Sequence, residues 1–269
     1  MALSTRGPAK YRRLGSLFDG LPLSVADGAF SSYANAIAVG GGSLWTGPTV
    51  HATAPLANTV TDVSGGWALS STSSSTTGGS AKLNNSGRLV LTSGTTDEDL
   101  TQAQLLSMPF RYTTTRKLKF FVRVATSTHN TSDAFVGLSI ADTTVIATSA
   151  EGVSDCMAFV KAATATDWTA NVQKDGTATT GASGLTLASA DQFTVLGLSI
   201  EAGVIRRYAV LDPNDRVKNE PGLLGAGTVI ANTNAPDDED MYLTFAVGQE
   251  GGTTARTLTV DWAFACGWH

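Results

Sequence analysis

The chain has 269 residues, with 18 Lys and Arg against 23 Asp and Glu, for a net charge of −5. That acid excess argues against a nucleic-acid-binding body, which shows a basic surface, and no run approaches the roughly 20 apolar residues that span a bilayer. Only 15 % of residues are charged while glycine numbers 28, a composition of short strands and small-residue turns that excludes a chain dominated by long exposed helices.

Residues 1–44 differ from the rest and read as an extended N-terminal arm, leaving 45–269 as one domain. Arg6, Lys10, Arg12 and Arg13 cluster near the start. Pro8 and Pro22 interrupt any helix, and Gly40-Gly41-Gly42 marks a joint. The basic residues are not followed by an apolar h-region and cleavage site, so secretion by a signal peptide is not expected. Next, Ser70 to Ser80 contains only Ser, Thr and Gly, and reads as an exposed loop.

Strand patterns begin at Arg88–Thr92. Thr95 to Leu106 offers the only helix candidate, because Thr95 and Glu98 have capping-box spacing. Alternating Gln102 and Gln104 favour a strand instead, in keeping with its surroundings. Lys117 to Ala125 alternates clearly, with Leu118, Phe120, Val122 and Val124 on one face and Lys117, Lys119, Phe121 and Arg123 on the other. Further strands are expected at Ala134–Ile140, Thr144–Thr148, Cys156–Lys161 and Thr166–Lys174. In the last, Trp168, Ala170 and Val172 share a face, and Lys174-Asp175-Gly176-Thr177 makes a turn.

Gln192–Ile200 and Val204–Leu211 are apolar on both faces and read as central strands, joined by a tight loop at Glu201-Ala202-Gly203. Met241, Leu243, Phe245 and Val247 alternate inward, as do Leu258, Val260, Trp262 and Phe264. The two runs read as an antiparallel hairpin across Gln249-Glu250-Gly251-Gly252. About ten or more such strands imply an all-β, two-sheet antiparallel sandwich. A domain of this size buries roughly 70–75 % of its unfolded surface, enough for stability without disulfide or metal.

Candidate chemistry is sparse. His51, His129 and His269 stand apart from one another and from any nucleophile, and neither G-x-S-x-G nor H-E-x-x-H occurs. Cys156 and Cys266 have no metal-ligand spacing and read as buried thiols, with one disulfide left open. Thr96-Asp97-Glu98-Asp99 and Asp237-Asp238-Glu239-Asp240 are acidic enough for calcium but lack EF-hand spacing, and read first as solvated loop charge. No Glu-x-Asp-x-Glu strand supports glycoside hydrolysis. The five tryptophans are candidate sugar platforms, but Trp168 and Trp262 are in phase with the core, Trp45 and Trp67 could be exposed yet read first as packing against the sandwich edge, and Trp268 is the fifth. No catalytic residue, metal or cofactor is expected.

One pattern points further. Met108-Pro109-Phe110-Arg111-Tyr112, the run Arg116 to Val124, Ser132-Asp133-Ala134-Phe135-Val136-Gly137-Leu138 and Ala141 to Ile146 follow in order, and Leu258-Thr259-Val260-Asp261-Trp262 closes the chain. Together they resemble the concanavalin-like jelly-roll structural proteins of tailed bacteriophages. The resemblance implies a non-enzymatic head decoration or cement protein on the virion surface, made in the host cytoplasm and bound to the major capsid protein. A homo-oligomer, a trimer by capsid symmetry, is then expected, with Arg6, Lys10, Arg12 and Arg13 as a capsid-contact arm reaching at most about 150 Å. The alternative within the same resemblance is a lectin-like carbohydrate-binding module of a tail or fibre, with a glycan as ligand. Neither nucleic acid nor membrane is an expected partner.

Overall fold

The structure is a computed structural model, described here for residues 35–40, 61–63, 67–72, 79–83, 88–128, 132–146, 153–187, 189–217 and 220–268. In chain order the first strands are β1 (Asn35–Gly40), β2 (Thr61–Val63), β3 (Trp67–Thr72), β4 (Ser80–Leu83), β5 (Leu89–Thr92) and β6 (Leu100–Phe110). Then come β7 (Lys117–Thr126), β8 (Ser132–Ser139), β9 (Cys156–Lys161), β10 (Asp167–Lys174) and β11 (Thr177–Thr186). The last are β12 (Thr194–Glu201), β13 (Val204–Leu211), β14 (Thr228–Ile230), β15 (Met241–Gln249) and β16 (Thr257–Trp268). Among the described residues the only helical element is a short 3-10 turn at Pro221–Leu224, and no helix is long and apolar enough to cross a membrane.

The strands form two eight-stranded antiparallel sheets. The first runs β14-β13-β12-β7-β16-β5-β4, with β1 also on β16; the second runs β11-β10-β9-β8-β15-β6-β3-β2. Their inner faces share one core. Leu118, Phe120, Val122 and Val124 of β7 meet Met241, Leu243, Phe245 and Val247 of β15, together with Phe159, Trp168, Ala170 and Val172. Each large side chain there is worth roughly 1.5–3 kcal/mol of burial. The expected sandwich is therefore observed. The expected turns at Asp175-Gly176 and Ala202-Gly203 hold both residues at positive φ (50° and 74° in each), the hairpin conformation that matches strand twist.

Several expectations are corrected. β15 and β16 do not form a hairpin: β15 lies between β6 and β8 in the second sheet, β16 between β7 and β5 in the first. Opposed strands and hairpin partners both present an alternating apolar face to the same interior, so pattern alone does not separate them. Within β16 the register slips between Val260 and Trp262. This bulge at Asp261 turns Trp262, Phe264 and Cys266 to the outer face, where they pack with Phe121, Val195 and Val217 in a second cluster. An extra residue reverses the alternation beyond it.

Residues 144–146 are not a strand but part of a strap over the outer face of the second sheet. Gln104 Nε2 donates to Ile140 O (2.8 Å), Gln102 Nε2 to Asp142 O, and Val145 N donates to Gln102 Oε1 (3.1 Å). Ser70 and Ser71 are buried in β3 rather than looped out, because their hydroxyls find acceptors on neighbouring segments; Ser71 Oγ donates to Leu100 O (2.8 Å) and Ser70 Oγ to Thr143 O (3.3 Å). Val204–Leu211 lies one strand from the edge and is half-exposed, since only β14 covers its far side. β11 had no counterpart in the pattern because its Thr, Ala, Gly and Ser residues are mostly exposed. Finally, Asn35–Gly40, assigned above to the arm, pairs with β16 from Gly267 to Trp262. The sheet thus begins inside that segment. Arg6, Lys10, Arg12 and Arg13 lie outside the described residues.

Candidate functional site

The pairing of β3, β6, β15 and β8 draws one row across the outer face of the second sheet. Thr72 pairs with Leu100, Leu100 with Gly248, and Gly248 with Asp133. This row floors a cleft of about 420 Å3, a size typical of small-molecule sites. Asp97, Glu98 and Glu250 stand on the turns at its end, while Thr144 and Ile146 of the strap form its side. Gly248 keeps the floor open: a Cβ there would sit 3.2 Å from the Asp133 Cβ and 3.6 Å from Ile146 Cγ2.

The acidic turn is rigidly placed. Asp97 Oδ1 accepts from Gly251 N (2.7 Å), Glu98 N donates to Gln249 O (2.8 Å), and Asp99 Oδ2 accepts from Thr96 N (2.9 Å). Glu98 takes φ 64°, so the stretch with capping-box spacing is a turn docked on β15, and the strand favoured for Thr95–Leu106 begins at Leu100. Four carboxyls, Asp97, Glu98, Asp133 and Glu250, line one cleft. Burial, together with repulsion from Glu250, raises the Asp133 pKa to about 6, against the hydrogen bond from Ala163 N (2.6 Å). Behind it, fully buried Lys161 donates to Ser132 O (3.0 Å). Burial lowers the Lys161 pKa to about 8, opposed by the charge of Asp133. Gln249, only 1 % exposed, adds a side-chain amide with neither atom hydrogen-bonded.

The arrangement can accept hydrogen bonds from a hydroxyl-rich ligand and lay apolar Leu100 and Ile146 against its carbon skeleton. Among the described residues no group of three or more His, Cys, Asp or Glu is placed to hold a metal ion.

Other sequence candidates fall elsewhere. The second acidic run is an exposed ion-pair cluster: Asp237 and Asp238 meet Lys174 (2.5 and 3.1 Å), and Asp240 meets Arg111 (3.3 Å). Trp67 is buried, stacked on Phe245 at 6.0 Å, so it is no exposed sugar platform. Trp168 and Trp262 are buried as expected. Trp268 pairs by its backbone with Lys117, and Trp45, His51, His129 and His269 lie outside the described residues. Cys156 and Cys266 are both buried, on the outer faces of different sheets, and form no disulfide with each other. Asp133 and Glu250 were not anticipated. They are far apart in sequence, and only the β8–β15 register joins them.

No protein-family model and no curated protein matches the chain. Solved structures do. A protein of unknown function from Shewanella oneidensis MR-1 superposes with a TM-score of 0.51 at 17 % identity, over 93 % of this chain and 97 % of that one. Lectin UEA-II complexed with galactose and lectin II from Ulex europaeus each superpose with a TM-score of 0.53 at 10 % identity, over 88 % of this chain and 100 % of theirs. The chain has the concanavalin-like, legume-lectin β-sandwich fold.

Proposed function

We propose that this chain is a non-enzymatic carbohydrate-binding module that holds a neutral sugar in the acid-lined cleft. The observation that carries the reading is the cleft itself, where four carboxyls face two apolar side chains on a sandwich of lectin-like fold. Carboxylates accept strong, short bonds from hydroxyls. No Glu-x-Asp-x-Glu run, the pattern that sets paired catalytic carboxylates on one strand face, occurs in the chain, which supports binding over hydrolysis.

A glycan array on the purified protein, followed by titration calorimetry, tests the reading. Galactose, the sugar in the UEA-II lectin complex, is the first ligand to try. Glu250→Gln and Gly248→Val are expected to weaken capture about tenfold or more, the equivalent of one lost charge-assisted contact. Absence of any neutral glycan ligand, or binding unchanged in both variants, refutes it.

A second reading, virion attachment as a decoration protein, rests on β1. β1 pairs with the central strand β16, downstream in sequence of Arg6, Lys10, Arg12 and Arg13. In that reading the protein is a homotrimer on the major capsid protein, and a truncation lacking residues 1–34 loses co-sedimentation with undecorated capsids.

A further inference from the structure

The outer face of the first sheet carries a second concavity of about 320 Å3, lined by Lys119, Ser199, Glu201, Val204, Arg206, Tyr208 and Ala226. Its floor is set by strand register. Ser199 on β12 pairs with Lys119 on β7 on one side and with Arg206 on β13 on the other. Neighbouring strands are about 4.8 Å apart, so the two cationic stems rise about 10 Å from each other, on either side of the Ser199 hydroxyl.

That hydroxyl is itself held, 3.1 Å from the Tyr208 hydroxyl. Tyr208 is fixed against the Phe121 ring, 5.3 Å between centroids. On its other side Gly227, at φ 69°, brings the chain so close that a Cβ would lie 2.6 Å from Tyr208 Cε1. The pair of hydroxyls is therefore preorganised between two cations. The acid on the rim, Glu201, is bound to Lys117. Lys117, Lys119 and Arg206 thus outnumber it on a protein whose net charge is −5.

We propose that this groove is an oxyanion site for the carboxylate of an acidic sugar. Arg206 offers a planar fork of donors that matches a carboxylate, Lys119 adds a point charge, and Ser199 and Tyr208 are placed for ring hydroxyls. Val204, 41 % exposed at the rim, supplies an apolar edge. The groove lies on the other sheet from the acid-lined cleft, so the proposal goes beyond the neutral-sugar reading and does not depend on it. The charge also opposes that of the cleft, which repels acids.

Titration of the full chain with D-glucuronate, D-glucose and inorganic sulfate, followed by amide chemical shifts, tests it. Glucuronate is expected to shift Ser199, Arg206 and Tyr208, to weaken as salt screens the charges, and to bind at least about tenfold more tightly than glucose. Sulfate is expected to compete with it. Arg206→Gln and Lys119→Gln, with melting temperatures checked, are expected each to lower glucuronate affinity about tenfold. Lys82→Gln, a change at an exposed lysine of β4, should not. Equal binding of glucose, sulfate binding without glucuronate binding, no binding by any probe, or full affinity in both groove variants would overturn the assignment. Neutral-sugar capture in the cleft is read separately, by Glu250→Gln.

Discussion

A buried charge cluster on the outer face of one sheet and another on the outer face of the other differ in how completely their charge is satisfied. Behind the first sheet, Arg123 is 1 % exposed and every part of its guanidinium is engaged. Nε and Nη2 donate to Asp212 O (3.0 and 2.7 Å), Nη2 also to Pro213 O (3.1 Å), and Nη1 to Asp261 Oδ2 (2.5 Å). Its face lies 4.1 Å from the Phe193 ring centre, with Arg88 at 4.8 Å from the same ring and bound to Asp261 (2.8 Å). Asp212 in turn accepts from Arg216 N (2.6 Å) and Val217 N (3.3 Å). This network pins the 212–217 segment over Trp262 and Phe264.

Behind the second sheet the balance is incomplete. Asp133 is pushed up, Lys161 is pushed down, and the Gln249 amide is unsatisfied. Buried charge that is fully bonded fixes structure, whereas buried charge left strained beside a cleft marks a place built for something else. The contrast separates scaffold from candidate site with no appeal to sequence motifs.

The largest expected effect tests the closed network. Arg123→Met leaves Asp212 without its cation and Asp261 with Arg88 alone, and should cost about 3–5 kcal/mol in denaturant unfolding. A loss under about 1 kcal/mol would mean that the network is dispensable and the contrast false.

The strained side should behave in the opposite sense. Lys161 has a folded pKa of about 8 against 10.5, so the unfolded chain binds more protons between those values. Stability should therefore rise with pH across that window. Lys161→Met should abolish the rise and stabilise the protein at pH 7 by roughly 1–3 kcal/mol. Unchanged pH dependence in that variant would show that the lysine is not strained.

A smaller effect is expected at Asp133, whose folded pKa of about 6 lies above 3.8. Its contribution is fully present below pH 3.8 and is lost as pH rises through 6. Asp133→Asn should remove that fall and gain about 1–2 kcal/mol at pH 7, part of the gain being offset by the lost attraction to Lys161. Unfolding midpoints measured from pH 3 to 7 decide this, and destabilisation at neutral pH would place Asp133 with the structural charges instead.

The smallest change is Gly248→Ala. The added Cβ meets Asp133 at 3.2 Å and should shift stability by less than about 1 kcal/mol while reducing sugar capture. A loss of stability with capture intact would move Gly248 from the site to the scaffold.

How much of this was legible depends on the range of each signal. Lys117–Val124 and Met241–Val247 announced their core faces because period-two alternation is local and each run packs on one side. Positive-φ turns at Asp175-Gly176 and Ala202-Gly203 were legible for the same local reason. The strap over residues 140–146 was not, since its bonds come from Gln102 and Gln104, and glutamines in a strand read as solvent-facing. Asp97 and Glu98 stood out only as part of an acidic run and, for Glu98, as a capping-box partner of Thr95. Nothing local tied them to Asp133 and Glu250.

By itself, then, the sequence determined the all-β class, most of the strands and the inward residues of the strongest ones, because strand periodicity and turn chemistry are written within a few neighbouring residues. Only the tertiary structure decided which sheet each strand joined, that the bulge at Asp261 sends Trp262 and Phe264 outward, and that the Thr72–Leu100–Gly248–Asp133 row brings four carboxyls into one cleft. Those outcomes depend on register between strands remote in the chain, and alternation is the same for every even shift of register, so pairing geometry settles what pattern leaves degenerate.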